Sequence, residues 1–293
     1  MTEPVTPDCL AALILPPARQ GGDKDSRGCA LIVAGGGGVP GAPLLTGRAA
    51  LRVGAGKLQL AATPGIAIAL GMAMPEAMIV VGSGATNHEF CAEAADAVAA
   101  AADEADAACI GPGMLDINVA RDMALVVLSR CLDLPCVIDA GALPAPTTRE
   151  AFAAAAGGRA VLTPHAGEMA SLLGCSKGDV LARPLAAART AAEGFQSVVV
   201  LKGATTFVVT PDGRSWRHDG GVVGLGTSGS GDVLAGVITG LLARGAAPAV
   251  AAVWGVYLHA AAGRRVSGTL GTLGFLASDL LPVLPGLLEE FSS

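Results

Sequence analysis

Aromatic residues make up 3% of the 293-residue chain and charged residues 15%, there are four histidines, and none of the seven cysteines is spaced C-x-x-C. Each scarcity excludes something. Little charge alongside 52% hydrophobic residues excludes a disordered chain, which cannot bury enough apolar surface to offset its ordering entropy. Cys9, Cys29, Cys91, Cys109, Cys131, Cys136 and Cys175 are odd in number and scattered through apolar runs, so they read as small buried hydrophobes and not as a disulfide framework. With four histidines and no C-x-x-C pair, the chain lacks the Cys/His sets of a structural zinc site. Lys+Arg 19 against Asp+Glu 25 leaves a net charge of −6, without a basic footprint for nucleic acid or anionic lipid. An anionic ligand must therefore be held locally, by backbone dipoles and a few cations.

Uninterrupted apolar runs of about 20 residues, the length of a membrane-spanning helix, are also missing. The uncharged stretch 58–75 contains Pro64, Gly65 and Gly71 and reads as strand, turn and short helix. The run after Asp232 meets Arg244, and the next holds His259. The mean hydropathy of +0.57 reflects alanine content. Glu3 and Asp8 stand where a secretory signal would carry basic residues, so a soluble cytoplasmic protein is expected.

What is present is alternation. Short apolar runs at 29–34, 57–62, 77–81, 107–110, 136–139, 160–162, 197–201 and 205–210 are expected strands. Longer amphipathic or alanine-rich segments at 42–53, 89–105, 119–132, 167–173, 180–193, 232–244, 247–265 and 276–284 are expected helices. Most strand segments are continuously apolar, as in a parallel sheet covered by helices on both faces. Pro211-Asp212-Gly213 between two short runs predicts a hairpin and an antiparallel edge. No charge run, linker or repeat divides the chain, which predicts one domain over 1–293 with an irregular lead-in over 1–25.

The segment Gly224-Leu225-Gly226-Thr227-Ser228-Gly229-Ser230-Gly231-Asp232 runs directly into an apolar helical stretch. Small residues before a helix leave backbone N–H groups free where the dipole adds positive charge, which makes an anion site. The alternative is a plain turn with Asp232 as N-cap. No lysine follows the glycines, so this is not a Walker A loop. A carboxylate placed here, beside a nucleotide phosphate, suits a base that takes a proton from a substrate hydroxyl.

Other glycines and polar residues fall at the ends of expected strands, the edge where open α/β sheets bind ligands. Lys202-Gly203-Ala204-Thr205-Thr206 offers a cation and hydroxyls to a phosphate or ribose, or is a solvated turn. In Thr163-Pro164-His165-Ala166-Gly167-Glu168, His165 is a substrate donor or a helix cap, with Glu168 in the first turn. Gly111-Pro112-Gly113 permits close backbone approach to a ligand. Asp139 is placed to hold hydrated Mg²⁺ or a water near phosphates, or is a cap. Gly36-Gly37-Gly38-Val39-Pro40-Gly41 fits the dinucleotide fingerprint G-x-G-x-x-G, but Pro40 stiffens the turn and no acidic residue ends the strand 57–62. The loop therefore reads better as facing a substrate than as a Rossmann turn.

Taken in order, these strings resemble the ADP/ATP-dependent NAD(P)H-hydrate dehydratase family of the ribokinase-like fold. The match runs through Gly38-Val39-Pro40-Gly41-Ala42-Pro43 to Val53-Gly54-Ala55-Gly56, then Pro75-Glu76-Ala77-Met78, Gly111-Pro112-Gly113, Val137-Ile138-Asp139-Ala140, Leu162 to Met169, Leu201 to Thr205, Gly229 to Gly236, and His259. The resemblance implies a three-layer α/β/α sandwich with a mostly parallel central sheet. It implies dehydration of the S-epimer of NAD(P)H-hydrate through phosphorylation of the C6 hydroxyl and loss of phosphate. Asp232 would be the base and contact substrate together with Ala42, Gly113 and His165. Lys202, Gly203, Ala204, Thr205, Thr206, Gly229, Ser230 and Gly231 would contact ADP or ATP, which brings Mg²⁺ with it, and no metal ligands are assigned to the chain. A separate epimerase and a homo-oligomeric state are expected.

Two departures stand out. The family usually has a second aspartate where this chain has Gly141, and an Asn-Pro-Thr-Gly-Asn-like segment where it has His218-Asp219-Gly220-Gly221-Val222-Val223-Gly224. These keep two alternatives open: a vitamin-precursor kinase of the same fold, and a non-catalytic dinucleotide sensor.

Overall fold

The computed structural model describes residues 2–17, 22–82, 89–91 and 93–292. Ten strands are described: β1 (Glu3–Pro4), β2 (Cys29–Val33), β3 (Lys57–Ala62), β4 (Ala77–Val81), β5 (Ala107–Ile110), β6 (Cys136–Ile138), β7 (Ala160–Leu162), β8 (Val198–Leu201), β9 (Thr206–Val209) and β10 (Ser215–His218). They form one sheet in the order β1-β10-β9-β8-β7-β6-β5-β2-β3-β4. From β8 to β4 every pairing is parallel, and only β9 runs against its neighbours β8 and β10. Strands β2 and β5 to β8 are buried at every residue, which is why they show no polar alternation.

The pleat sends alternate residues into two cores. Ala30, Ile32, Val137, Val161 and Val200 pack with the helices Ala42–Arg52, Ser230–Ala243 and Pro248–Leu270. Leu31, Val33, Ile138, Leu162 and Val199 pack with Ala94–Ala102, Ile117–Arg130, Ala166–Leu173 and Pro184–Gly194 on the other face. The result is three layers. Five of the seven cysteines, Cys9, Cys29, Cys109, Cys131 and Cys136, are buried, and burial pushes the Cys136 thiol up to about 12. Among the described residues no helix is long and apolar enough to cross a membrane.

The helices Ala42–Arg52 and Ser230–Ala243, which carry both glycine loops into the site, approach closely through Gly236 and Gly240. A Cβ at Gly236 would lie 2.1 Å from the Thr46 carbonyl oxygen, and one at Gly240 would lie 2.4 Å from that of Ala50. Backbone cannot yield as a flexible side chain does. Gly236→Val is expected to destabilise by about 3 kcal/mol through overpacking, read as a lowered denaturant midpoint at unchanged slope. A variant with the wild-type midpoint would contradict the packing.

Several expectations need correction. The lead-in is only partly irregular: β1 pairs with β10, and Pro7–Ala12 is a helix capped by Thr6, whose Oγ1 accepts from the Cys9 N–H at 3.2 Å, while 13–17 and 22–24 carry no helix or strand. The Trp254 indole N–H donates to the Leu13 carbonyl at 2.6 Å and pins the segment to the core, while 18–21 lie outside the described residues. β1 also means that the hairpin strand β10 is not the sheet's edge. The helix expected over 180–193 is two, Lys177–Ala182 and Pro184–Gly194, because Pro184 cannot donate and disfavours a helical Arg183. The helix expected over 276–284 is a 3₁₀ segment, Ala277–Val283, holding Pro282 and followed by the helix Leu284–Ser292. The helix expected over 89–105 spans Ala94–Ala102, with residue 92 outside the described set. Arg149–Ala156, a helix, was not expected.

Candidate active site

Five neighbouring strands deliver their C-terminal ends to one place. Their loops are stitched together: the Gly35 N–H bonds the Pro112 carbonyl, Gly111 that of Val33, Asp139 that of Ile110, Thr163 that of Ile138, and Lys202 that of Pro164. Gly111, at φ +117°, is required here, since a Cβ would sit 2.0 Å from the Asp139 carbonyl oxygen. A Cβ on Gly113 would lie 2.7 Å from the Ala42 Cβ, so the two residues expected to contact substrate are packed together.

The helix Ser230–Ala243 begins at Gly229, which adopts φ +86° as N-cap. Its first backbone bond is from the Val233 N–H to the Gly229 carbonyl at 3.1 Å. The N–H groups of Gly231 and Asp232 therefore lie ahead of the helical ladder, beside the positive end of the dipole. Asp232 is not the N-cap but stands three residues inside it, in the first turn. Burial, and then the nearby Asp139 carboxylate, push the Asp232 carboxyl up to about 7 against the opposing pull of Lys202. A carboxylate so poised is half ionised near neutral pH, where a general base works best.

Lys202 is the cation of this site. Its Nζ lies 2.9 Å from Asp139 Oδ1 and 3.9 Å from Glu168 Oε2, and a Cβ on Gly231 would be 3.4 Å from it. Burial alone would lower the ammonium pKa, but Asp139, then Glu168, outweigh it and hold it above the ordinary lysine value. Asp139 is buried, and its Oδ1 also accepts from the Thr163 hydroxyl at 2.6 Å. Asp139 is thus committed to Lys202 and Thr163. A side chain at Gly141 would press on the Met114 carbonyl at 2.7 Å, so the missing second aspartate has no room in this backbone. Among the described residues no group of three or more His, Cys, Asp or Glu is placed to hold a metal. The residues do not fit a protein-built Mg²⁺ cage.

His165 caps the helix Ala166–Leu173. Its Nδ1 accepts from the N–H groups of Gly167 and Glu168 at 3.0 and 3.1 Å, while Glu168 Oε2 accepts from the His165 N–H at 2.8 Å. An accepting Nδ1 puts the neutral ring's proton on Nε2, which lies 3.5 Å from Glu168 Oε1, so a ligand taking that proton would share it with Glu168.

A cleft of about 570 Å³ lies over the helix start, bounded by His165, Lys202, Gly203, Ala204, Thr206, Ser230 and Gly231 on its polar side. Its apolar lining is Val222, Val223, Leu225, Leu234, Val256 and Ala260, with His218 and His259. Thr205 turns away and donates to Asp219 at 2.8 Å. Gly229, Asp232, Ala42 and Gly113 do not line this cleft; Gly229 instead meets Leu45 of the helix Ala42–Arg52, where a Cβ would be 2.5 Å from Leu45 Cδ1. Sequence reasoning missed the Asp139–Lys202 pair and the apolar lining. The lining had a signal: Val256, His259 and Ala260 share one helical face.

The model of the NAD(P)H-hydrate dehydratase family matches residues 30–285. The chain belongs to the NAD(P)H-hydrate dehydratase family. An ADP-dependent (S)-NAD(P)H-hydrate dehydratase of Xanthomonas campestris is 47% identical over 286 residues, 98% of this chain and 96% of that protein. A bifunctional NAD(P)H-hydrate repair enzyme of Moorella thermoacetica is 37% identical, and the match covers 94% of this chain and 52% of that protein. Among solved structures, the Bacillus subtilis ADP/ATP-dependent NAD(P)H-hydrate dehydratase, co-crystallised with ATP/Mg²⁺, superposes with a TM-score of 0.83 at 29% identity over 99% of each chain. The fold is ribokinase-like, as the motifs implied.

Proposed function

We propose that the chain, as one ribokinase-like unit, dehydrates the S-epimer of NAD(P)H-hydrate at the expense of ADP or ATP. The observation that carries this reading is Asp232 at the free N–H groups of its helix, with Lys202 alongside. The hydrate's C6 hydroxyl is a poor leaving group, and phosphorylation makes it a good one. Asp232 would take the hydroxyl proton as the oxygen bonds to the terminal phosphorus and the bond to the leaving nucleotide breaks. The N–H groups of Gly231 and Asp232, with Lys202, would hold the charge on the transferring phosphoryl oxygens. The ring nitrogen's lone pair then assists C6–O cleavage, and loss of the C5 proton restores the dihydropyridine and frees phosphate.

On this reading the 570 Å³ cleft takes the nucleotide through Lys202, Gly203, Ala204, Thr206, Ser230 and Gly231. Ala42, Gly113 and the Nε2–H of His165 face the hydrated dinucleotide. Magnesium would arrive on the nucleotide's own phosphates. Epimerisation of the hydrate falls to a separate activity; the Moorella thermoacetica relative, about twice this chain's length, is named a bifunctional NAD(P)H-hydrate repair enzyme. The enzyme would work in the cytoplasm as a homo-oligomer, the latter motivated by exposed Ile68, Met72 and Met78. The test is absorbance at 340 nm on adding purified protein and Mg²⁺ to hydrated NADPH. A rise with ADP or ATP, absent without nucleotide, is expected; a flat trace from folded protein that binds nucleotide would favour a small-molecule kinase or a sensor.

A further inference from the structure

One polar contact in the cleft is not used by the chemistry above. Ser230 Oγ and His259 Nε2 lie 2.9 Å apart, joining the start of the helix Ser230–Ala243 to the middle of the helix Pro248–Leu270. Ser230 is 4% exposed, and both residues border the nucleotide cleft. A hydroxyl here has one proton and two lone pairs, and what it shows a ligand depends on what His259 does. If Nε2 accepts from Ser230, the hydroxyl turns lone pairs toward the cleft. If Nε2–H donates to Ser230, the hydroxyl proton is free to donate into it.

We propose that His259 is a positioning residue that donates from Nε2 to Ser230 Oγ and so directs the Ser230 O–H onto the phosphate of the bound nucleotide. The proposal rests on the nucleotide assignment made above. The surroundings agree with a neutral ring: burial lowers the His259 imidazole to about 4, a backbone hydrogen bond at Ser230 opposes it, and the positive charge of Lys202 and the neighbouring His218 push it the same way as burial. A neutral imidazole donates one proton from one nitrogen, and a phosphate oxygen selects the arrangement in which Ser230 is the donor. Lys202 supplies charge from across the nest; His259 supplies direction to a hydroxyl that has none of its own.

The experiment separates direction from packing. A glutamine amide places its N–H₂ near the site of imidazole Nε2, whereas asparagine places it near Nδ1. His259→Gln, His259→Asn and His259→Ala are compared for MgADP and MgATP binding by calorimetry, in wild-type and Ser230→Ala backgrounds, with melting temperatures alongside. His259→Asn and His259→Ala are expected to weaken nucleotide binding about tenfold, the scale of one hydrogen bond to a charged group. His259→Gln should retain most of the affinity, and the loss should vanish in Ser230→Ala. Equal losses in glutamine and asparagine variants, wild-type affinity in a folded His259→Ala, or a loss undiminished in Ser230→Ala would each overturn the proposal. Because binding needs no turnover, an inactive wild type that binds MgADP would count against the dehydratase reading and leave this one standing.

Discussion

Asp232→Asn is expected to lower kcat by about three orders of magnitude while leaving the fold and nucleotide affinity nearly unchanged. The amide keeps the size and the place in the first helical turn but cannot accept the hydroxyl proton. The loss should fall on kcat, because the N–H groups of Gly231 and Asp232 still bind the phosphates. In the wild type the carboxyl is pushed up to about 7. The base form is lost as pH falls through that value, so kcat/KM should decline on the acid side of neutrality with a single ionisation. A folded Asp232→Asn protein with kcat within a few-fold of wild type, measured by NADPH recovery, would remove Asp232 from the chemistry.

Lys202→Ala is expected to cost about 10²- to 10³-fold in kcat/KM for the nucleotide, the scale of losing an electrostatic contact to a transferring group. Its second effect has a definite sign. Lys202 opposes the upward push of burial and Asp139 on Asp232. Without the ammonium, Asp139, Glu168 and Asp232 face one another unbalanced, the Asp232 pKa rises, and the acid limb of the pH–rate profile moves to higher pH. Lys202→Arg should restore much of the limb's position but less of the rate, since a planar fork replaces a point charge. An alanine variant whose limb moves to lower pH would contradict the arrangement.

The parts of the fold that were legible are those set by local chemistry. β3, β4, β5 and β7 begin and end where their apolar runs do, and Pro211-Asp212-Gly213 turns β9 into β10. The Gly229–Asp232 loop announces a helix start because small residues and a periodic apolar stretch adjoin. Boundaries failed where one residue outweighed the pattern, as Pro184 did in breaking a continuous periodicity. Asp232 read equally as an N-cap, and only the left-handed Gly229 decided against it. What the sequence could not supply was adjacency. Asp139 and Lys202 are 63 positions apart, and their contact depends on β6, β7 and β8 lying side by side so that a lysine reaches across the strand carrying Thr163. Without that order, Asp139 read as a place for hydrated Mg²⁺ or a water, or as a cap; with it, Asp139 Oδ1 is found holding Lys202.

Phosphoryl transfer to the substrate is what drives dehydration at this site. The most direct measurement is a single sample of hydrated NADPH with protein and limiting MgATP, assayed together for NADPH at 340 nm, inorganic phosphate and ADP. One phosphate for each NADPH recovered, with one phosphoryl group lost from the nucleotide pool each time (ATP to ADP, or ADP to AMP), is the predicted result; NADPH formed without phosphate, or phosphate released without NADPH, would contradict it.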